Sequence, residues 1–297
     1  MTSPKLNIVI GIATAGRREV LTDTISSLNN QTRMANTLLV CPAQLDDIDE
    51  DALRLYRGPS QVLYGPRGLP AQRNTIMAAT DADLIIFFDD DFLPAPDFLA
   101  ETEALFEKDP SIVIATGEVA ADGICGPGLS HNEALNIIQN LPPQTADHIL
   151  SDTYNGYGCN MVIRMAPVRQ NGQCFDENLP LYAWLEDVDF SRQLAPAGRI
   201  VKSSRLRGVH MGTKRSGRTP GRKLGYSQIA NPLYMMRKGT LRPTIGYKHM
   251  AKNIAANLAR SLKPEPWVDR KGRLSGNLLA IKDWIRGTIR PDNILKL

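Results

Sequence analysis

Residues 84–91 of the chain read LIIFFDDD, five apolar side chains followed by three carboxylates. An unbroken apolar run rich in β-branched and aromatic residues suits a strand buried on both faces of a parallel sheet. The carboxylates that end it repel one another and lose hydration, so they must be solvated at a cleft, paired with bases or neutralised by a cation. Strand alternation sends Asp89 and Asp91 to one side, about 7 Å apart at the backbone. That leaves room for one hard cation such as magnesium or manganese, bridging to a phosphate. Taken alone, the triplet serves equally as an acidic turn that stops a strand before Pro94 and Pro96.

Working outward toward the amino end, residues 6–13 form a first buried strand, and Thr14-Ala15-Gly16-Arg17-Arg18 the loop into a helix over 20–30. A small-residue loop there presents backbone N–H groups at the strand's carboxyl end, where α/β proteins bind ligands. Neither GxGxxG nor GxxxxGK[ST] occurs, which removes the main support for dinucleotide and P-loop readings. Short strands follow at 37–41 and 61–64, separated by the acidic run 46–51 that either caps a helix or holds a base and ribose. Residues 70–80 have helical composition, with Arg73 and Asn74 in the first turns; an arginine beside the aspartates would serve a diphosphate. An amphipathic helix over 97–108 and a strand over 111–117 complete an alternation that predicts an open, largely parallel sheet.

Toward the carboxyl end, residues 120–157 read as an irregular excursion with one helix near 132–139, and 159–165 as a strand. Trp184-Leu185-Glu186-Asp187-Val188-Asp189 reads as a helix start whose acids favour the positive end of the dipole. That accounts for Asp189, whereas Glu186 and Asp187, just behind an aromatic, suit a cleft. Short strands at 199–202 and 206–209 lead to His210; a lone histidine is most often structural, but its place at a strand end before a basic loop favours a metal or phosphate role more than usual. The basic stretch 213–225 reads as a flexible loop that closes over a bound diphosphate. Apolar stripes with basic flanks mark helices over 248–263 and 277–287, which either pack on the sheet or lie on a membrane surface.

With 297 residues and 42% hydrophobic content, the chain can bury a large core. Its net charge of +4 hides a division: residues 1–198 carry 12 basic and 27 acidic side chains, and residues 199–297 carry 23 and 4. The basic part is expected to meet something anionic. Its aromatics are few and dispersed, which gives no stacking platform and argues against nucleic acid. Four cysteines far apart and without CxxC spacing indicate neither a zinc site nor a disulfide framework and fit a reducing cytosol. The early apolar run 6–13 is too short for a membrane span and is followed at once by Gly16-Arg17-Arg18, so neither a transmembrane helix nor a signal peptide is expected.

Taken in order, the opening strand with Thr14 and Arg17, the Arg73-Asn74 helix, Asp89-Asp90-Asp91 as a DxD motif, Glu186-Asp187 as an ED motif and His210 resemble the family 2 inverting glycosyltransferases with the GT-A fold. The resemblance spans roughly residues 5–240. It implies a glycosyltransferase domain over 1–240, with a Rossmann-like nucleotide half (1–117) and an acceptor half (118–240) sharing one mostly parallel sheet flanked by helices. Residues 241–297 remain as a basic helical extension. By this likeness Asp91 and His210 would hold Mn2+ or Mg2+, and Asp89 would sit near the ribose or the metal. Thr14, Arg17, Arg73 and Asp90 would face the nucleotide, Asp187 would be the general base, and Glu186 would orient the acceptor. Many relatives carry an Asp-Gly-Ser type sequence after the second strand; here it is Cys41-Pro42-Ala43-Gln44-Leu45-Asp46, so the base contact is expected at Asp46 or Asp47. The donor would be a UDP-sugar, UDP-glucose in the first place, and the acceptor a glycan or polyprenyl-diphosphate-linked sugar. The enzyme would then work in the cytoplasm, held peripherally at the inner face of the membrane by its basic helices. A sugar-nucleotide pyrophosphorylase shares such a sheet but needs a GxGxR loop, which residues 11–18 lack.

Overall fold

The computed structural model describes residues 5–144, 148–214 and 220–297. Among these, nine strands form one sheet in the order β3-β2-β1-β4-β8-β6-β9-β5, with β7 also on β9. The strands are β1 (Ile8–Thr14), β2 (Thr37–Pro42), β3 (Ser60–Val62), β4 (Leu84–Asp89), β5 (Phe92–Pro94), β6 (Ile112–Asp122), β7 (Leu150–Asp152), β8 (Asn160–Arg164) and β9 (Arg199–His210). The run β3-β2-β1-β4 is wholly parallel, and β8, antiparallel to β4 and β6, joins it to the parallel pair β6-β9. Six of the nine strands therefore run in one direction, as the alternation of elements predicts.

The LIIFFD strand lies in the middle of this sheet and is buried on both faces. Leu84, Ile86 and Phe88 pack with Leu21, Ile25 and Leu28 of α1 (Arg18–Leu28) and with Phe98 and Phe106 of α4 (Phe98–Lys108). Ile85 and Phe87 face Ile76 and Met77 of α3 (Leu69–Ala78), Val168 of α6 (Met165–Asn171) and Phe190 of α7 (Glu186–Leu194). Period-2 alternation thus divides one apolar run between two cores, each such side chain contributing about 1.5–3 kcal/mol. Chain order reverses between β1 and β4, so a crevice opens beyond their carboxyl ends, and there Thr14, Arg17 and the three aspartates stand.

Several elements differ from the sequence reading, among them α9 (Pro243–Arg260) and α10 (Arg270–Ile285), which begin ahead of the expected 248 and 277. The strands expected at 199–202 and 206–209 are one strand, β9, because register shifts in its pairing with β6 absorb the polar stretch between them. Strand β6 runs five residues past the expected end at 117, into the stretch read as irregular, and carries Asp122 to the sheet edge. The basic loop expected over 213–225 is cut short by α8 (Gly221–Lys238); Arg215 and Arg218 lie outside the described residues. The helix expected near 132–139 is α5 (His131–Gln139), started by a capping box between Ser130 and Glu133.

Helix α8 packs with α9 (Pro243–Arg260) and α10 (Arg270–Ile285) around Tyr226, Ile229, Leu233, Met250 and Ala280. Its approach to α10 leaves no room for side chains. A Cβ on Gly225 would lie 2.0 Å from the Arg273 carbonyl oxygen, and one on Gly276 2.0 Å from that of Arg222. No helix among the described residues is long and apolar enough to cross a membrane.

Candidate active site

Antiparallel pairing of β5 with the end of β9 sets Phe92 opposite His210, and the Met211 N–H donates to the Asp91 carbonyl at 2.9 Å. Asp91 and His210, far apart in the chain, become neighbours by register alone. Ligand atoms from Asp89, Asp91 and His210 lie within 4.8 Å of one another. Register also sets Asp122 opposite His210 across β6 and β9, and its Oδ1 lies 2.9 Å from His210 Nδ1. That contact turns Nε2 toward Asp91 Oδ1, 3.4 Å away, and Asp89 Oδ2, 3.9 Å away. Burial alone would lower the histidine's pKa, but Asp122, Asp91 and Asp89 outweigh it and push the value up to about 10. Asp91 is buried, yet its partners His210 and Arg17 and the Thr213 N–H hold it well below the usual carboxylate range.

The cluster fits a hard divalent cation. Two carboxylates and one imidazole converge, and the buried Asp91 Oδ1 accepts no hydrogen bond. Such a mixed oxygen and nitrogen set suits manganese at least as well as magnesium.

The middle aspartate does something else. Asp90, 1% exposed, accepts from the Thr14 hydroxyl at 2.7 Å and pairs with Arg17 at 2.9 Å; burial raises its pKa. Arg17 also reaches Asp91 at 2.9 Å. Asp90 therefore anchors the loop after β1.

Two adjoining cavities open at this edge. The larger, about 480 Å³, is lined by Thr14, Gly16, Arg17, Asp47, Arg67, Gln72, Lys223 and others; the smaller, about 270 Å³, by Asp89, Tyr157, Gly158, Trp184, Glu186, Asp187, His210 and others. Leu69 and Tyr182 line both. The loop into α7 holds Leu181, Ala183 and Leu185 at φ 61°, 50° and 73°, conformations that L-residues seldom adopt. This left-handed alternation places Tyr182 and Trp184 at the cavity wall, a strain of the kind that gathers at working sites.

Asp187, the second residue of α7, lies beside the smaller cavity. Its Oδ2 accepts from the Gly158 N–H at 3.1 Å and its Oδ1 from the Val188 N–H at 2.8 Å. Burial raises its pKa above the usual aspartate value, against the pull of the Gly158 N–H and Arg73. Glu186 is more deeply buried and pairs with Arg73 at 2.5 Å; burial pushes its pKa up to about 8. Arg73 is 1% exposed, lies 3.4 Å from Asp89, donates to the Gly158 carbonyl at 2.8 Å and stacks near Phe87 and Phe175.

The model of the glycosyl transferase family 2 domain matches residues 9–170, more than half of the chain. The chain belongs to glycosyl transferase family 2. No curated protein matches its sequence. In fold this family 2 glycosyltransferase is similar to the mannosyltransferase PcManGT from Pyrobaculum calidifontis, solved with GDP-Man and Mn2+, at 13% identity and TM-score 0.58 over 99% of this chain and 86% of that one. It is also similar to S. aureus TarS 1-349 in complex with UDP-GlcNAc, at 14% identity and TM-score 0.57 over 97% and 83%. The fold is thus the GT-A arrangement that the resemblance implies.

Of the residues singled out in the glycosyltransferase sequence, Asp89, Asp91, His210, Glu186 and Asp187 come together around the smaller cavity. Thr14 and Arg17 line the larger. Asp46 does not: it is exposed on a 3-10 turn, while the buried Asp47 lines the cavity and accepts from the Gly16 N–H at 2.7 Å. Arg73, expected to face a diphosphate, is instead engaged by Glu186, Asp89 and Gly158, so it ties the acidic cluster to α7. Asp189 is structural, as its place in a helix start suggests, being held by Lys238 and Thr240. Sequence reading missed Asp122, Gly158 and Tyr182. Asp122 carries no local mark, because only strand register brings it to His210.

Proposed function

We propose that the enzyme is a metal-dependent inverting glycosyltransferase that moves a sugar, glucose in the first place, from its UDP conjugate to a hydroxyl of a glycan or lipid-linked acceptor in cell-envelope or polysaccharide synthesis. The observation that carries this is the convergence of a cation-competent Asp89, Asp91 and His210 cluster with Asp187 at one small cavity. The solved relatives bind GDP-Man with Mn2+ and UDP-GlcNAc, which supports a sugar-nucleotide donor and a manganese ion. The larger cavity, about 480 Å³, adjoins the cluster and is assigned to the nucleoside end of the donor.

In this reading Asp89, Asp91 and His210 hold the cation, which when bound neutralises charge on the departing diphosphate. Arg67 and Lys223 at the larger cavity add positive charge there, and Arg17 offsets Asp90 and Asp91. Asp187 accepts the proton of the acceptor hydroxyl as its oxygen bonds to the anomeric carbon and the bond to the β-phosphate oxygen breaks, so the anomeric configuration inverts. The raised pKa of Asp187, set by burial, makes it a stronger base than an ordinary aspartate. Gly158, which donates to Asp187 and accepts from Arg73, keeps the base in register with the cluster. We also assign α9 and α10 to an anionic membrane surface at the cytoplasmic side. Leu258, Leu262, Leu278 and Ile285 stand 58%, 91%, 58% and 81% exposed there among basic side chains.

The test is release of nucleoside diphosphate from a panel of UDP- and GDP-sugars, with manganese and with EDTA. UDP-glucose is expected to be turned over fastest, and only with manganese. Equal turnover in EDTA, or no turnover of any UDP-sugar, would overturn the proposal.

A further inference from the structure

Trp184 is a shared wall. One side lines the cavity that holds Asp187, and the ring also meets His249 of α9 edge to face, with centroids 6.0 Å apart. Its backbone carbonyl accepts from Asn231 of α8 at 2.9 Å, so the indole is held between the sheet domain and the carboxyl-terminal helices. Beyond it lies an open hollow of about 560 Å³ lined by Thr244, Ile245, Lys248, His249 and Lys252. Ile245 packs with Leu185, Val188 and Leu241, which fixes this part of α9 against the start of α7.

The charges around the hollow are unbalanced. Lys248 and Lys252 stand four residues apart on one helix face, an arrangement that repels and weakens a helix unless something anionic lies between the two ammonium groups. Neither makes an ion pair with any described residue. Some nearby cations are compensated, Arg260 and Arg270 by Glu265 and Lys238 by Asp176 and Asp189, whereas these two lysines face each other along one helix without an acid between them. Burial, then Lys252 and Lys248, lower the pKa of His249, so its ring is neutral at pH 7 and offers one N–H donor. Two ammonium groups and an imidazole N–H beside an aromatic wall match a phosphate ester carried by a sugar or polyol.

We propose that Lys248, His249 and Lys252 form an anion subsite for a phosphate group of the acceptor, which passes across Trp184 with its reacting hydroxyl at Asp187. The acceptor class is thereby a phosphate ester or diphosphate. This rests on the reading of the smaller cavity as the acceptor side of a glycosyltransferase.

The test uses the indole N–H resonance of Trp184, identified by its loss in Trp184→Phe, in the full chain. The probes are sn-glycerol 3-phosphate, glycerol, and phosphatidylglycerol vesicles. Glycerol 3-phosphate is expected to shift the Trp184 and His249 resonances saturably where glycerol does not. The Lys248→Ala/Lys252→Ala variant should weaken that binding at least about tenfold with UDP affinity in manganese unchanged. No shift, an equal shift with glycerol, or unchanged binding by the double variant would overturn the subsite. A response to vesicles alone would overturn it too, assigning the lysines to a lipid surface. UDP binding on the same samples separates the two failures: if it persists, only the subsite falls; if it is absent, the donor reading falls.

Discussion

Replacing Asp187 by asparagine keeps the shape of the side chain and removes the proton acceptor. In the wild type both carboxylate oxygens accept backbone N–H groups, from Gly158 at 3.1 Å and Val188 at 2.8 Å. An amide can satisfy only one of them, since its NH2 would meet the other N–H donor to donor. Losing one charge-assisted hydrogen bond costs about 1.5–3 kcal/mol, offset in part because a neutral amide needs no desolvation of charge. A net loss of about 1 kcal/mol would lower Tm by roughly 2–4 °C. The kinetic effect is much larger: loss of a general base slows transfer by about 10²- to 10⁴-fold, or about 2.7–5.4 kcal/mol in the barrier. Calorimetry gives the first figure, and single-turnover transfer from saturating donor the second. An Asp187→Asn enzyme that keeps a tenth or more of wild-type transfer would show that Asp187 merely caps α7, and the mechanism would fail.

Manganese affinity should rise with pH. His210 is protonated at neutrality because its pKa is pushed up to about 10, and the cation must displace that proton, so affinity falls about tenfold for each unit of acidification below that value; titrations in buffers of different ionisation enthalpy would count the proton released. Asp122→Asn removes the carboxylate that orients His210 and is expected to weaken manganese binding by about 10–100-fold without unfolding the chain, as seen by calorimetry and circular dichroism. The α9 and α10 face should bind phosphatidylglycerol vesicles and release them as salt rises, since each basic residue near such a surface contributes about 1 kcal/mol. Co-sedimentation that is unaltered by Leu262→Asp/Ile285→Asp would refute that assignment.

How much of this was legible follows the range of the forces involved. Strand β4 could be read because burial on both faces demands an unbroken apolar run, whereas its acidic end marked a site only once Arg73, Glu186-Asp187 and His210 followed in order. The division of labour inside the triplet was only half visible. Alternation separates Asp90 from Asp89 and Asp91, but that Asp90 holds Thr14 and Arg17 depends on the loop after β1 folding back. Arg73 was noticed as a charge near acids, yet its partner Glu186 lies 113 residues away and no local pattern pairs them. Strand β9 was split in the reading because polar Ser203, Ser204 and Arg205 imitate a turn. In the fold Ser203 is buried and its hydroxyl lies 3.0 Å from His148 Nε2, so the strand continues. The basic stretch after residue 212 looked like loop throughout because its glycines hide the start of α8, one of them needed for the close approach to α10.

Calorimetric titration of UDP into the full chain, in manganese and in EDTA, for wild type and Asp91→Ala, tests the cation cluster on which the account depends. Two carboxylates facing a diphosphate without a cation repel it, so wild type in manganese should bind at least about 100-fold more tightly than in EDTA, a difference of about 2.7 kcal/mol. Asp91→Ala should show the same weak affinity in both. Equal UDP affinity for wild type with and without manganese would contradict the account.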